Sequence, residues 1–159
     1  MPRHRESELT ELREILRASR SILLVDWPHA GSPRALLMAG FSVFGFSPGG
    51  YSAAEIVVER PQRVDGGVFP PAQGETGYLV FRKLDAPPSH VDIVNAYRPA
   101  AELLGIIEQH ALPLGAKVLW LQPPMTSADA RRAAAEHGLL FVEGTDIAAV
   151  TRDLGGATT

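Results

Sequence analysis

The sequence contains no cysteine. That absence excludes a disulfide framework, a thiolate nucleophile and any cysteine-based zinc or iron–sulfur site. An excess of positive charge is also missing. Lysine and arginine total 15 against 18 aspartates and glutamates, a formal net charge of −3. A sequence-independent nucleic-acid binder is normally basic, because phosphate neutralisation dominates its affinity. No nucleic-acid partner is therefore expected. No apolar run approaches the roughly 18–20 residues of a spanning helix. The charged start Met1 to Glu6 is not followed by the apolar core of a signal peptide. Cytoplasmic residence with no membrane partner is the expectation. The five histidines, 4, 29, 90, 110 and 137, show no i, i+4 pair, so no metal site is expected either.

Glycine and proline, by contrast, are abundant, at 15 and 13 in 159 residues. The chain is rich in turns and long enough for one domain, residues 1–159. Leu9, Leu12, Ile15 and Leu16 recur at helical spacing, which predicts an amphipathic helix over about 8–19 with Ser7 at its start. Ser21 to Asp26 holds a continuous apolar run that suits a central parallel strand. Ser32 followed by Pro33 reads as a helix start, with the hydroxyl as cap, and the helix should run from about Pro33 to Ala39. Phe41 to Phe46 is a second strand, ended by Ser47-Pro48-Gly49-Gly50.

The stretch 51–90 interrupts this rhythm. Apolar runs at 55–59 and 77–84 flank a loop rich in glycine and proline with an Asp65-Gly66-Gly67 turn, which predicts an inserted hairpin with a long tip. Strands at 91–97, 116–122 and 139–144 then alternate with helices at 99–111, 126–138 and 146–155. A T-x-x-D pattern at Thr126 to Asp129 starts the second of those helices, and Asp146 caps the third. Alternation of this kind predicts a three-layer α/β/α, Rossmann-like domain with a parallel sheet of about five strands.

Ligands of open parallel sheets bind beyond the carboxyl ends of the strands, where strand order reverses. Four loops are candidates: 26–33, 47–51, 97–99 and 122–125. The first precedes a helix N-terminus, whose free N–H groups and dipole favour phosphate, and Arg34 lies in its first turn. A dinucleotide fingerprint G-x-G-x-x-G is not present; of its glycines only Gly31 stands in this turn. Trp27 also reads as a cover for the sheet end. Arg98 before Pro99 also reads as a surface arginine, His29 as an exposed loop residue, and Trp120 and Gln122 as packing or strand termination. Tyr51 and the hairpin read as a lid, a dimer contact or a plain surface excursion. No serine elbow or other constellation argues for catalysis.

Val25-Asp26-Trp27-Pro28, Tyr51 to Glu55, Val91 to Pro99, Gly115 to Gln122 and Phe141 to Ala148 together resemble the small bacterial CoA-binding domain family. These are single Rossmann-like domains, similar to the CoA-binding domain of the succinyl-CoA ligase alpha subunit. The resemblance covers about 8–154. Typical members carry G-x-S in the first loop, N-P after the second strand and an acidic residue with Arg-Cys after the last. Here Asp26-Trp27-Pro28, Ser47-Pro48 and Glu143-Gly144-Thr145 stand instead, as in a divergent branch.

The resemblance implies CoA or an acyl-CoA as ligand. Trp27, Pro28, His29, Gly31, Ser32, Pro33 and Arg34 would surround the pyrophosphate. Ser47 and Pro48 would border the adenosine, Tyr97 and Arg98 would face the nucleotide, and Gln122 and Pro123 would line the pantetheine arm. The expected function is non-catalytic binding of this ligand. Alternatives are a subunit of an acyl-CoA ligase or transferase, an NAD(P)-dependent enzyme, or an interaction module that has lost the ligand. The ligase or transferase reading would call for a partner subunit, and a homodimer is the other assembly open to the chain.

Overall fold

The computed structural model describes residues 2–63, 67–71 and 74–157. Helix α1 (Pro2–Arg17) leads into β1 (Ser21–Val25), α2 (Gly31–Met38) and β2 (Ser42–Ser47). The insertion follows as β3 (Gly50–Val57), β4 (Val68–Phe69) and β5 (Tyr78–Lys83). Strand β6 (Ile93–Ala96) is followed by a 3-10 turn (Ala100–Glu102), α3 (Leu103–Ile106) and a π turn (Ile107–Ala111). Strand β7 (Val118–Leu121), α4 (Ala128–Glu136), β8 (Leu140–Val142) and α5 (Ile147–Ala157) complete the order. The Asp65-Gly66 part of the expected turn and the last two residues of the tail lie outside the described residues.

One eight-stranded sheet runs β4-β5-β3-β2-β1-β6-β7-β8. Its five strands β2, β1, β6, β7 and β8 are parallel, and the three strands of the insertion extend it antiparallel from β2. The apolar run of β1 explains its central place. Leu23 and Val25 pack with Leu103, Ile106 and Ala130 on the face of α3 and α4. Ile22 and Leu24 pack with Leu16, Leu36, Ile147 and Val150 on the face of α1, α2 and α5. A strand that is apolar on both faces is stable only where both are covered. At its amino end, β1 is tied to β6 by Asp92, which accepts from the N–H groups of Arg20 (2.7 Å) and Ser21 (3.1 Å) and from His90 Nε2 (2.9 Å). Burial raises that carboxyl, but these donors outweigh it and hold Asp92 below its ordinary value.

Several element starts differ from the sequence expectation. Helix α1 begins at Pro2 and passes through Ser7. Helix α2 begins at Gly31, with Ala30 at the cap position and no side-chain cap. Ser32 therefore sits inside the first turn, and its buried hydroxyl has no partner among the described residues. Helix α4 is capped by Ser127, whose Oγ accepts from the Ala130 N–H at 3.0 Å, rather than by Thr126. Helix α5 runs on through Gly155 to Ala157. The segment 100–111 is helical throughout but changes from 3-10 to α to π winding, with Pro99 outside it in an extended conformation. Among the described residues, no helix is long and apolar enough to cross a membrane.

Arg34 fastens the insertion to the sheet's helical cover. Its side chain is 7% exposed and pairs with Glu75 at 2.6 Å. It also donates to the carbonyls of Gly77 (3.1 Å) and Pro70 (3.4 Å). Arg34→Ala removes the ion pair with Glu75 and leaves those part-buried carbonyls without this donor. The expected cost is about 2–3 kcal/mol in urea unfolding, with faster proteolysis between residues 58 and 77. An unchanged unfolding midpoint and cleavage rate would contradict this role.

Candidate functional site

Strand order reverses between β1 and β6, so the loops after these two strands diverge and leave a crevice. Asp26 opens the first loop in a left-handed conformation, φ 65°, uncommon for a residue with a side chain. Local bonding holds it there. One carboxylate oxygen accepts from the Trp27 N–H at 2.9 Å, and the other accepts from Arg98 Nη1 at 3.1 Å. Arg98 comes from the loop after β6, so this ion pair spans the crevice. Arg98 also binds Glu102 one turn on, with Nη2 2.7 Å from Oε2. These bonds, the one to Glu102 first, push the guanidinium further above its ordinary value and keep it a cation.

Two cavities lie on this edge of the sheet. The larger, about 430 Å³, is walled by Val25, Phe46 and Ile106 and bordered by Asp26, Arg98 and Glu102. The smaller, about 240 Å³, lies between Trp27, Phe69 and Phe81, with Lys83 at its side. Asp26 and Ser47 line both. Trp27 stacks on Phe81, ring centroids 4.7 Å apart and planes 12° from parallel. It lies so close over β2 that a side chain at Gly45 would put its Cβ 3.1 Å from the indole.

His110, in the π turn, reaches under the larger cavity. It is 4% exposed, its ring lies 4.2 Å from that of Phe46, and its Nδ1 is 2.5 Å from Tyr51 Oη. Burial lowers the His110 pKa from its ordinary value and raises that of Tyr51. Both are therefore neutral at pH 7. Single-turn π segments recur at functional sites because the extra residue re-aims a side chain.

The residues singled out from sequence are distributed unevenly. Ser47, Pro48 and Arg98 line the larger cavity, and Trp27 and Ser47 the smaller. Gly31 and Arg34 line a third, open groove of about 1160 Å³ between α1, α2 and α5. Arg34 is spent on Glu75 and the insertion carbonyls rather than turned to the strand ends. Pro28, His29, Ser32, Pro33, Tyr97, Gln122 and Pro123 line none of these three spaces. His29 is exposed. The Tyr97 N–H extends the ladder to Val25 O at 3.0 Å. Gln122 is a buried bracket: Oε1 accepts from Asn95 and from the Ile147 N–H, and Nε2 donates to Asp146 at 2.6 Å. Trp120 is fully buried, its Nε1 donating to Thr145 O at 2.8 Å.

Phe46, Glu102 and His110 were not among the sequence candidates, and Asp26 entered only as the first residue of a candidate loop. A signal for His110 was present. Leu103, Ile106, Ile107 and His110 follow i, i+3, i+4, i+7 spacing, so the buried stripe of this segment ends on a titratable group.

A family model described as a CoA binding domain matches residues 40–149. The match begins after the first loop and α2. A protein from Thermus thermophilus, cell-free ID.343, is 22% identical with a TM-score of 0.59, covering 92% of this chain and 98% of its own. A hypothetical protein from Pyrococcus horikoshii OT3 is 20% identical with a TM-score of 0.59, covering 93% of this chain and 92% of its own. A protein redesigned for binding, Prb, is 22% identical with a TM-score of 0.60 over the same shares. At these identities the likeness is one of fold. No curated protein matches the chain.

The buried histidine sets a pH dependence. Its folded pKa lies below the unfolded value of about 6.5, so the unfolded chain takes the proton first. The expected stability is level above that value, falls as pH drops toward the folded pKa, and the loss is complete below it. Urea unfolding at pH 7.5 and 5 should show a smaller difference for His110→Phe than for the wild type. Equal differences would exclude His110 as the source.

Proposed function

The chain belongs to the CoA-binding domain family, and on that premise we propose that it binds CoA or an acyl-CoA without transforming it. The observation that carries the reading is the pair of cavities meeting at Asp26 and Ser47, on the edge where strand order reverses. Elongated ligands with a nucleotide end and a flexible end need two adjoining spaces of this sort. The smaller cavity offers aromatic walls and a lysine. The larger offers apolar walls beneath an arginine. Pyrophosphate recognition calls for a guanidinium with forked donors, which Arg98 supplies.

Binding without chemistry is supported by how the polar groups are spent. Asp26 is held by Trp27 and Arg98, and Glu102 by Arg98. Gln122 is held by Asn95, Asp146 and Ile147. The absence of cysteine removes a thiolate nucleophile from the chain.

Arg98 shares its charge with two carboxylates, and an incoming phosphate competes with Glu102 for it. Titration calorimetry with CoA should give about tenfold weaker binding for Arg98→Ala, the usual order for losing one charge-assisted contact. Glu102→Gln should tighten binding a few-fold (about two- to fivefold), since it removes the competing anion. In thermal unfolding, CoA at a hundred times its Kd should add roughly 2.7 kcal/mol, a rise of about 5–10 °C. No shift with CoA or acyl-CoA, together with a clear shift with NADP, would replace this reading with a reductase.

A further inference from the structure

We propose that the larger cavity is a subsite for the acyl end of an acyl-CoA, in which His110 donates a hydrogen bond from Nε2 to the thioester carbonyl. The inference rests on the CoA-binding reading and goes beyond it by naming the acylated, uncharged form of the ligand as the preferred one.

The proton is placed by the network around the ring. Tyr51 lies on the Nδ1 side of His110, and this is the one hydrogen bond shown for its hydroxyl among the described residues. A neutral phenol is a better donor than acceptor, so its O–H points to Nδ1 and leaves the imidazole proton on Nε2. Tyr51 does not line the larger cavity, whereas His110 does. The edge left to the cavity is therefore the one carrying Nε2–H, which has no hydrogen-bond partner among the described residues. Val25, Phe46 and Ile106 surround it with apolar surface. A donor open to a cavity with apolar walls is available to an acceptor that enters it. A thioester carbonyl is such an acceptor, and the free thiol of CoA is a poor one.

Charge at the mouth restricts the acyl group further. The half-exposed side chains of Asp26 and Glu102 border the cavity and share the single cation Arg98. With Arg98 already engaged by the pyrophosphate, a further carboxylate on the acyl chain would enter against Asp26 and Glu102 without that cation to offset them. The cavity, at about 430 Å³, has room for a short unbranched chain along its apolar wall. Acetyl, propionyl and butyryl groups fit this description, and succinyl and malonyl groups do not.

The test compares CoA, butyryl-CoA and succinyl-CoA by titration calorimetry on the full chain. Wild type should prefer butyryl-CoA over both others by about tenfold, the usual worth of one buried hydrogen bond with its apolar contacts. His110→Phe keeps a ring against Phe46 and should erase the preference for butyryl-CoA over CoA, so that the ratio of the two affinities falls to about one. A merely structural role would lower all three affinities together. Tyr51→Phe frees the tautomer and should lower the preference partway, and it provides the reading if His110→Phe does not fold. A preference kept in both variants, or a wild type that binds CoA and butyryl-CoA equally, overturns the acyl subsite and leaves CoA binding standing. A wild type that binds none of the three overturns both.

Discussion

Strand β1 can exist only between two covers. Leu23 and Leu24 point to opposite faces and both are fully buried, so neither helical layer is dispensable. Two neighbours, β2 and β6, complete its hydrogen bonds, and the chain reaches them in opposite directions along the sheet. The crevice above Val25 follows from that alone. Loops leaving β1 and β6 must go to opposite faces, and Asp26 and Arg98 close the gap between them with an ion pair.

The fold was largely legible because this constraint writes itself into composition. Unbroken apolar runs at 22–25 and 118–121, and Ile93 to Ala96 interrupted by Asn95, permit no exposed face, and glycine and proline punctuate their ends. The hairpin was legible for the opposite reason, since its strands stand apart from the α/β rhythm. Helix starts were less legible. Ser32 and Thr126 both satisfy the local capping preference, yet Gly31 and Ala128 begin the helices. A capping hydroxyl gains about 1 kcal/mol. At α2 the packing of Leu36 into the core outweighs it, and at α4 the neighbouring Ser127 supplies the cap instead.

Less of the site could be read. Loop position was a sound guide for Ser47, Pro48, Arg98 and Trp27, because strand ends fix where such loops begin. It failed to convey what each side chain spends its bonding capacity on. Arg34 lies one turn into α2 beside a candidate loop, but its long side chain reaches carbonyls more than thirty residues away. Gln122 ends β7 at the site's edge but turns inward to Asp146. His110 was legible as the end of a buried stripe but not as part of a site: helical spacing says which residues turn inward, and the cavity above them depends on the loops after β1 and β2.

The close approach of Trp27 to Gly45 has a consequence for how this sequence can vary. The indole occupies the volume that a side chain on β2 would need. The Ser52 hydroxyl stands equally close, 3.1 Å from the same point, so bulk at Gly45 has to be traded against both the loop and β3. A side chain there calls for a smaller residue at Trp27 and a yielding one at Ser52. Such positions would drift together across a lineage, and the shape of the smaller cavity would drift with them.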